Sequence, residues 1–370
     1  MDDLTQLVVP GVRGLRPYQP GKPVDMLERE LGIKNAIKLA SNENPCGPAE
    51  SVKALLGNSL DDLSRYPDGN GFYLKQALAN KHQIDPAQIT LGNGSNDVLE
   101  FVARAFASHE NTIVFSEHAF AVYPIVTMAV GATPRIVRAK DWGNDLNAIL
   151  DTIDDSTRVV FIANPNNPTG TWLDGDALRG FLNKVPAHVI VVLDEAYYEY
   201  ASDPRLQSPG YPDGSQWVND YSNLVVTRTF SKAYGLAGLR IGYGLSSIEV
   251  ADFLNRVRQP FNVNSLALLA AEKALSDTVH LQHSLDVNAA GMQQILEGLD
   301  DLSLSYIPSI ANFIAIDFGR PADDIYQALL YEGVIVRPVG NYAMPNFLRV
   351  SIGLPEENEK FLSALKKVLR

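Results

Sequence analysis

Two turns rich in glycine and asparagine contain the first candidate functional residues. Residues 92–97, Gly-Asn-Gly-Ser-Asn-Asp, lead into apolar residues at helical spacing. Glycines let backbone amides approach an anion, and a helix N-terminus adds free N–H donors and a positive dipole end. Taken alone, the turn fits an ordinary glycine turn with Ser95 or Asn96 as helix N-cap equally well. Residues 164–170, Asn-Pro-Asn-Asn-Pro-Thr-Gly, either form a rigid loop or aim an amide from a strand end.

Charged residues follow two further apolar runs. Asp194 comes directly after such a run, where a carboxylate costs free energy unless it meets a cation or donor or caps a helix. Lys232 follows Thr229 and Ser231 and precedes several Gly and Ala residues. Most lysines lie at the surface, but these small neighbours disfavour a solvated face. Burial would lower the pKa of the amine and favour its use as a nucleophile.

Together these segments offer one set of groups. A lysine at a strand end can bind a carbonyl carbon covalently, and an aspartate can keep a pyridinium nitrogen protonated. A tyrosine and an amide can hydrogen-bond a ring oxygen, while a glycine turn at a helix start grips a phosphate with Ser, Thr or Arg side chains. Pyridoxal 5'-phosphate requires these groups. The sequence therefore predicts a site for this cofactor and no metal site.

The secondary structure predicted around these groups alternates between strand and helix. Short β-branched runs, each followed by turn residues and a helical pattern, cover residues 112–115, 159–163, 189–193 and 224–227. Their continuous apolarity predicts strands buried on both faces of a parallel sheet. Ligands in open α/β sheets bind outside the carboxyl ends of the strands, and the four segments lie at such ends.

The rest of the chain predicts a smaller α/β layer and an arm. The N-terminal segment is too rich in proline and glycine for a helix and is expected to wrap over the molecule as an arm. The C-terminal elements are a helical stretch, strands and helices at 265–299, 313–316, 322–332, 334–336, 348–352 and from Pro355. The predicted division is an arm with part of the small domain over 1–45, a large cofactor-binding domain over 46–265 and a small domain over 266–370.

Composition excludes several classes of protein. The chain has 31 Lys and Arg residues and 43 Asp and Glu residues. The resulting net charge of −12 opposes binding to nucleic-acid phosphates. The single cysteine, Cys46, allows no internal disulfide and fits a reducing compartment. The N-terminus is acidic where a signal peptide needs cations, and no apolar run approaches the roughly 18 residues of a membrane span. We expect a cytoplasmic protein without nucleic-acid or membrane partners.

The sequence resembles the fold-type I aminotransferases and, within them, the histidinol-phosphate aminotransferase family. The lysine and arginine segments, residues 231–240 and 348–350, are specific to the superfamily, whereas Tyr18 and residues 42–45 point to the subfamily. This resemblance implies a mostly parallel seven-stranded sheet covered by helices, with a smaller α/β domain. It covers nearly the whole chain and rests on residues 17–21, 39–45, 65–68, 167–170, 194–197, 231–240 and 348–350.

The resemblance implies a role for each cofactor-binding residue. Lys232 would bind the cofactor covalently and then move a proton at the substrate α-carbon. Asp194 would pair with the pyridinium nitrogen, and Tyr197 and Asn167 would hydrogen-bond the phenolic oxygen. Phe120 would stack on the ring, although packing in the core explains an aromatic residue there equally well. The residues that would hold the phosphate are Ser95, Asn96, Thr229, Ser231 and Arg240.

Partners and substrate contacts are implied in the same way. Tyr66 would reach the phosphate from the neighbouring subunit, so the family pattern implies a homodimer with shared sites. Arg349 resembles the family's substrate-anion arginine, with Arg337 and Tyr18 as helpers at the substrate phosphate. Guanidinium groups suit both substrates because their planar fork pairs with carboxylate or phosphate. For Arg337 a surface role fits as well.

The implied reaction is transamination between L-histidinol phosphate and 2-oxoglutarate, which gives imidazole-acetol phosphate and L-glutamate in histidine biosynthesis. Phe120 and Phe261 stand where many relatives have tyrosine, near the expected pocket. The two missing hydroxyls leave open an aromatic amino acid aminotransferase. Further alternatives are a threonine-phosphate decarboxylase and a non-catalytic regulator that binds the cofactor. A structural protein with a fortuitous lysine would form no covalent link at Lys232.

Overall fold

A seven-stranded sheet forms the centre of the molecule in the computed structural model, which describes residues 4–17 and 21–370. The helices are α1 (Pro10–Arg13), α2 (Val24–Leu31), α3 (Glu50–Gly57), α4 (Phe72–His82), α5 (Ser95–Phe106), α6 (Val122–Ala129), α7 (Leu146–Thr152), α8 (Gly175–Leu182), α9 (Tyr198–Ala201), α10 (Ile248–Val257), α11 (Ser265–Ser276), α12 (Thr278–Asp301), α13 (Asp323–Tyr331) and α14 (Pro355–Val368). The strands are β1 (Ile37–Lys38), β2 (Ile89–Gly92), β3 (Thr112–Ser116), β4 (Thr133–Val137), β5 (Thr157–Ala163), β6 (Ile190–Asp194), β7 (Leu224–Thr229), β8 (Gly242–Ser246), β9 (Ser305–Ile307), β10 (Phe313–Asp317), β11 (Val334–Ile335), β12 (Arg337–Pro338) and β13 (Phe347–Ser351).

The strands of the large sheet follow the order β2-β8-β7-β6-β5-β3-β4. All neighbouring pairs are parallel except those of β8, which runs antiparallel to both β2 and β7. The four β-branched runs of the sequence form β3, β5, β6 and β7. Helices cover both faces and give two apolar cores, which explains why these strands are apolar along their whole length. The predicted α/β fold with a mostly parallel seven-stranded sheet is confirmed.

The glycine-rich strand β8 brings the start of α5 close to the sheet. A Cβ atom at Gly244 would lie 2.7 Å from the Val98 side chain. At Gly242 it would lie 2.3 Å from the backbone nitrogen of Ser95. Side chains at these two positions would therefore push the first turn of α5 away from the strand. Because glycine weakens the sequence signal of a strand, β8 was not predicted.

A smaller layer follows, built on the antiparallel sheet β12-β13-β10-β9 and covered by α12, α13 and α14. The helical stretch predicted over residues 265–299 is two helices, α11 and α12, because Asp277 ends the first and caps the second through a bond from His280 N of 3.0 Å. Buried alanines of α11, including Ala267 and Ala271, pack in the core of the large sheet. We therefore propose that the domain boundary lies at Asp277, one helix later than the sequence suggested.

The N-terminal segment contains a short helix, α1, where the sequence analysis expected none. Proline is accepted at the first helical position because its missing N–H would have no partner there. A Cβ atom at Gly11 would lie 1.9 Å from the carbonyl oxygen of Met128, so the glycine lets α1 approach α6 closely. Within residues 4–17 and 21–370, the helices are too short or too polar to cross a membrane.

Candidate active site

A cleft at the carboxyl ends of the parallel strands brings most of the predicted site residues together. Strands β5, β6 and β7 end at one edge of the sheet, so residues far apart in sequence meet there. The predicted residues that line the cleft are Ser95, Asn96, Phe120, Asn167, Asp194, Tyr197, Thr229, Ser231, Lys232, Arg240, Arg337 and Arg349. Two predicted residues are not among them: Tyr66 lies elsewhere, and Tyr18 falls outside the described residues.

Lys232 follows β7 and projects into the cleft. Its Nζ donates a hydrogen bond of 3.2 Å to the carbonyl oxygen of Ser41 and lies 5.6 Å from the ring centroid of Tyr197. Burial, assisted by the positive charge of Arg349, lowers the pKa of Lys232 to about 7. An amine with this pKa is partly unprotonated at neutral pH, so it is suited to act as nucleophile or base.

Asp194 is the last residue of β6 and is 5% exposed. Its two oxygens accept hydrogen bonds from the Tyr123 hydroxyl, at 2.9 Å, and the Thr227 hydroxyl, at 3.0 Å. Burial raises the pKa of Asp194, and these two bonds oppose the rise. Sequence reasoning missed both donors. Thr227 lies directly opposite Asp194 in the sheet, so strand pairing is the signal that identifies it.

Tyr197 lies at the centre of a hydrogen-bond network. Its hydroxyl oxygen accepts bonds from Asn167 Nδ2, at 3.1 Å, and from Asn42 Nδ2, at 2.8 Å. Arg349 Nη1 donates a bond of 2.5 Å to Asn167 Oδ1. Burial raises the pKa of Tyr197 to about 12. The sequence singled out Asn42 only as part of a subfamily segment, so its contact with Tyr197 was missed.

The first turn of α5 and the loop after β7 form a cradle for an anion. Gly94 has a φ of +87°, and a Cβ atom there would lie 2.4 Å from Arg240 Nη2, so the glycine makes room for the guanidinium group. Arg240 Nη1 donates to Ser231 Oγ at 3.2 Å, and Ser231 N donates to Thr229 Oγ1 at 3.1 Å. A helix N-terminus, a guanidinium group and two hydroxyls form the donor set that suits a phosphate.

Two arginines lie opposite each other on the small sheet. Arg337 on β12 is in direct register with Arg349 on β13, and both line the cleft. Guanidinium groups on neighbouring strands can bind one anion through charge-assisted hydrogen bonds. Tyr342, which the sequence analysis missed, lines the same wall, and its carbonyl oxygen contacts His118 Nδ1 at 2.7 Å.

Aromatic residues divide between the cleft and the surface. Phe120 lines the cleft and packs edge-on against Tyr123, with 6.0 Å between ring centroids. Tyr66 is 82% exposed and stacks on Phe261, with 4.7 Å between ring centroids. Phe261, expected near the pocket, is therefore outside the cleft of its own chain. The reason is its position after α10, on the surface next to the loop that holds Tyr66.

Comparison with known proteins places this fold and cleft in a family. The sequence profile of the family described as aminotransferase class I and II matches residues 34–365. The chain is 62% identical to histidinol-phosphate aminotransferase 2 of Pseudomonas fluorescens over 99% of its own length and 98% of the relative. It is 61% identical to histidinol-phosphate aminotransferase 2 of Pseudomonas aeruginosa over 100% of its own length and 99% of the relative.

A solved structure agrees with these sequence matches. The histidinol-phosphate aminotransferase of Sinorhizobium meliloti in complex with pyridoxal-5'-phosphate superimposes with a TM-score of 0.89 and 30% identity, over 98% of this chain and 97% of that one. The fold is therefore that of the fold-type I aminotransferases. The chain belongs to the class I and II aminotransferases and, within them, to the histidinol-phosphate aminotransferase family.

Proposed function

We propose that this protein is a pyridoxal-phosphate-dependent aminotransferase that transfers the amino group of L-histidinol phosphate to 2-oxoglutarate. The products would be imidazole-acetol phosphate and L-glutamate, in histidine biosynthesis. The observation that carries the proposal is the pair of Arg337 and Arg349, in direct register and open to the same cleft as Lys232. Two guanidinium groups suit the phosphate monoester of one substrate and the carboxylates of the other.

The residues of the cleft fit pyridoxal 5'-phosphate. Lys232 would bind it covalently, Asp194 would pair with its ring nitrogen, and Tyr197 and Asn167 would hydrogen-bond its phenolic oxygen. Phe120 would contact the ring face. When bound, the cofactor supplies an electron sink for the charge that develops at the substrate α-carbon. The residues proposed to hold its phosphate are Ser95, Asn96, Thr229, Ser231 and Arg240.

The protein side of the reaction follows from the contacts of these residues. Lys232 Nζ takes the proton from the substrate α-carbon, since an amine with a pKa of about 7 is partly unprotonated at neutral pH. The donors Tyr123 and Thr227 favour the ionised form of Asp194 against the effect of burial, and a positively charged ring nitrogen would favour it further. Arg349 and Arg337 hold the substrate anion and thereby fix the orientation of the α-carbon.

The proposal includes the assembly and the location of the enzyme. Tyr66 would reach the phosphate in the neighbouring subunit of a homodimer, and its exposed stack with Phe261 supports a subunit contact. Tyr18, outside the described residues, would assist at the substrate phosphate. The single cysteine, Cys46, fits a reducing cytoplasm. The two Pseudomonas relatives support the substrate assignment through their full-length similarity.

A single-turnover titration tests the proposal. The purified protein is loaded with pyridoxal phosphate, and its visible absorbance is followed on addition of histidinol phosphate or, separately, phenylalanine. Faster and tighter conversion by histidinol phosphate is expected. Preference for phenylalanine would instead indicate an aromatic amino acid aminotransferase, and no spectral response to either would contradict a transaminase.

Variants of the arginine pair sharpen the same experiment. Arg337→Gln should weaken histidinol phosphate binding by about tenfold to a hundredfold, since a hydrogen bond to a charged group contributes about 1.5–3 kcal/mol. The exposed Arg320 lies outside the cleft, so Arg320→Gln is the matched control and should leave the titration unchanged. Equal binding by both variants would remove Arg337 from the substrate site.

A further inference from the structure

Asn42 is a buried residue that the proposed reaction does not yet use. It is 1% exposed and has a φ of +55°, in the left-handed region that asparagine tolerates better than most residues. Its backbone N–H donates to Ser351 Oγ at 2.8 Å, and its carbonyl oxygen accepts from Asn312 Nδ2 at 3.1 Å. Ser351 is the last residue of β13, and Asn312 directly precedes β10, so both partners belong to the small sheet. The Asn42 backbone is therefore tied to the small sheet while the residue lines the cleft.

The contacts of Ser351 determine which way the Asn42 amide points. Ser351 Oγ accepts the bond from Asn42 N, so its own proton is available to donate, and it donates to Asn42 Oδ1 at 3.1 Å. The oxygen of the amide therefore faces Ser351, and the nitrogen faces Tyr197. That nitrogen donates to the Tyr197 hydroxyl oxygen at 2.8 Å.

The second amide on Tyr197 is oriented in the same manner. Arg349 has only donors, so its bond to Asn167 fixes the Asn167 oxygen toward Arg349 and the nitrogen toward Tyr197. The Tyr197 oxygen thus receives two donated bonds, from Asn42 and Asn167. An amide nitrogen cannot accept a hydrogen bond, so neither amide can take the hydroxyl proton of Tyr197. That proton is left to donate into the cleft.

We propose that Asn42 is a positioning residue that, together with Asn167, directs the hydroxyl proton of Tyr197 toward the phenolic oxygen of the cofactor. The inference rests on the proposed function, in which Tyr197 contacts that oxygen. This role also links Tyr197 to the side of the cleft that carries Arg349, because Ser351 lies two residues after Arg349 on β13. Burial raises the pKa of Tyr197, and Arg349 and the bond from Asn42 oppose the rise, so loss of Asn42 would weaken the hydroxyl as a donor.

The test compares three variants loaded with pyridoxal phosphate. Asn42→Gly removes the amide and accepts the positive φ. Asn42→Asp keeps the shape but replaces the N–H donor by an acceptor, which would draw the Tyr197 proton away from the cleft. The matched control is Asn35→Gly, since Asn35 is exposed and has a similar φ of +62°. The readouts are the pH midpoint of the visible absorbance of the bound cofactor and the melting temperature.

A weaker donor leaves more negative charge on the phenolic oxygen, which then holds the proton on the neighbouring Lys232 nitrogen more strongly. In Asn42→Gly the midpoint should therefore rise by about half to one pH unit, as expected for one lost hydrogen bond. Asn42→Asp should raise it further, and Asn35→Gly should leave it unchanged. Ser351→Ala, which releases the Asn42 amide but keeps its nitrogen, should raise the midpoint by less and provides an independent test if Asn42→Gly fails to fold.

The outcomes separate this inference from the function on which it rests. An unchanged midpoint in Asn42→Gly, or in Ser351→Ala if Asn42→Gly does not fold, would overturn the role of Asn42 while leaving the aminotransferase proposal intact. Equal shifts in Asn42→Gly and Asn35→Gly would also overturn it. A wild-type protein without an absorbance band from pyridoxal phosphate would overturn the proposed function itself and the inference with it.

Discussion

The ends of β6 and β7 have two faces that hold very different sets of polar groups. Side chains alternate along a strand, so Asp194 and Thr227 face the cleft, whereas Glu195 and Arg228 point to the opposite side. The cleft face carries hydroxyls, a carboxylate and the Lys232 amine around a space open to a ligand. The opposite face is filled by a buried cluster of charges.

The charged groups of the buried cluster form hydrogen bonds and ion pairs with one another. Arg228 donates to Glu195 Oε2 through Nε at 3.0 Å and Nη2 at 2.7 Å, and to Asp213 at 2.6 Å. Its guanidinium carbon lies 3.4 Å from the ring centroid of Tyr198, and Glu195 Oε1 accepts from Gly214 N at 2.8 Å. Arg228 and Glu195 are 1% and 0% exposed. These paired charges are suited to stabilise the strand ends, and they are not among the residues that line the cleft.

The comparison shows how neighbouring charged residues acquire different tasks. Asp194 and Glu195 are consecutive, yet strand alternation gives one a place in the cleft and the other a buried ion pair. Burial opposes the charge of both carboxyls and raises the pKa of each. Among the described residues, Glu195 pairs with the guanidinium group of Arg228, whereas Asp194 accepts bonds from the hydroxyls of Tyr123 and Thr227 and can face a cationic ligand. Activity should therefore depend on the cleft face of the strand ends, and the free energy of unfolding on the opposite face.

Lys232→Ala should show the largest effect, confined to the cleft face. Turnover should fall by more than about 10⁴-fold, because both the acid–base group and the covalent attachment are lost. Steady-state kinetics measure turnover, and the melting temperature measures stability. Lys81→Ala is a matched control, since Lys81 is another lysine whose amine is hydrogen-bonded, but it donates to Tyr234 outside the cleft, at 2.7 Å. Retained transamination in Lys232→Ala would contradict the assignment.

Arg228→Met should show the opposite behaviour. Removing the guanidinium leaves the carboxylate of Glu195 buried without its cation, which is expected to lower the free energy of unfolding by about 3–5 kcal/mol. Urea unfolding of the cofactor-free protein measures the loss. Adding Glu195→Met should restore most of the stability, because replacing a whole buried pair by apolar residues is often neutral. A single variant as stable as the wild type would show that the cluster does not stabilise the strand ends.

Asp194→Ala should lower turnover by about 10²–10³-fold, the range for loss of one electrostatic contact to the reacting system. The free energy of unfolding should change by less than about 1 kcal/mol, since burial already disfavours this carboxylate. Asp213→Asn, on the opposite face, should affect stability more than turnover. The same kinetic and urea measurements apply, and near-normal turnover in Asp194→Ala would remove Asp194 from the cofactor site.

The smallest expected effect is a pH dependence of stability due to Lys232. Its pKa is about 7 in the folded protein and 10.5 when unperturbed. Above pH 7 the unfolded chain therefore binds a proton that the folded protein does not. The stability of cofactor-free wild type relative to Lys232→Met should rise by up to about 1.4 kcal/mol per pH unit above neutral pH, and should be flat below it. Parallel urea-unfolding curves for the two proteins from about pH 6 to about pH 9 would contradict the lowered pKa.

Much of the large sheet could be predicted because its inner strands are buried on both faces. Continuous β-branched runs indicated β3, β5, β6 and β7, and the turn residues after them indicated the site. The predicted run at 224–227 ends before Arg228, but the strand continues to Thr229 because Glu195 and Asp213 neutralise the arginine inside the core. In the sequence alone, a charged residue indicates the end of a buried strand. The ion pairs of Arg228 in the folded protein show that β7 continues past it.

Residue types and local spacing were enough to predict the candidate site, since a lysine, an aspartate and a glycine turn after apolar strands can be recognised in the sequence. What holds these groups in place becomes visible only in the folded chain. Tyr123 and Thr227 on Asp194, and Asn42 on Tyr197, come from segments far away in the chain or on a neighbouring strand. Strand register and the packing of the two sheets bring these residues together, and local periodicity in the sequence predicts neither. Hydrogen bonds require contact in space, so the residues that orient the site appear only once the chain is folded.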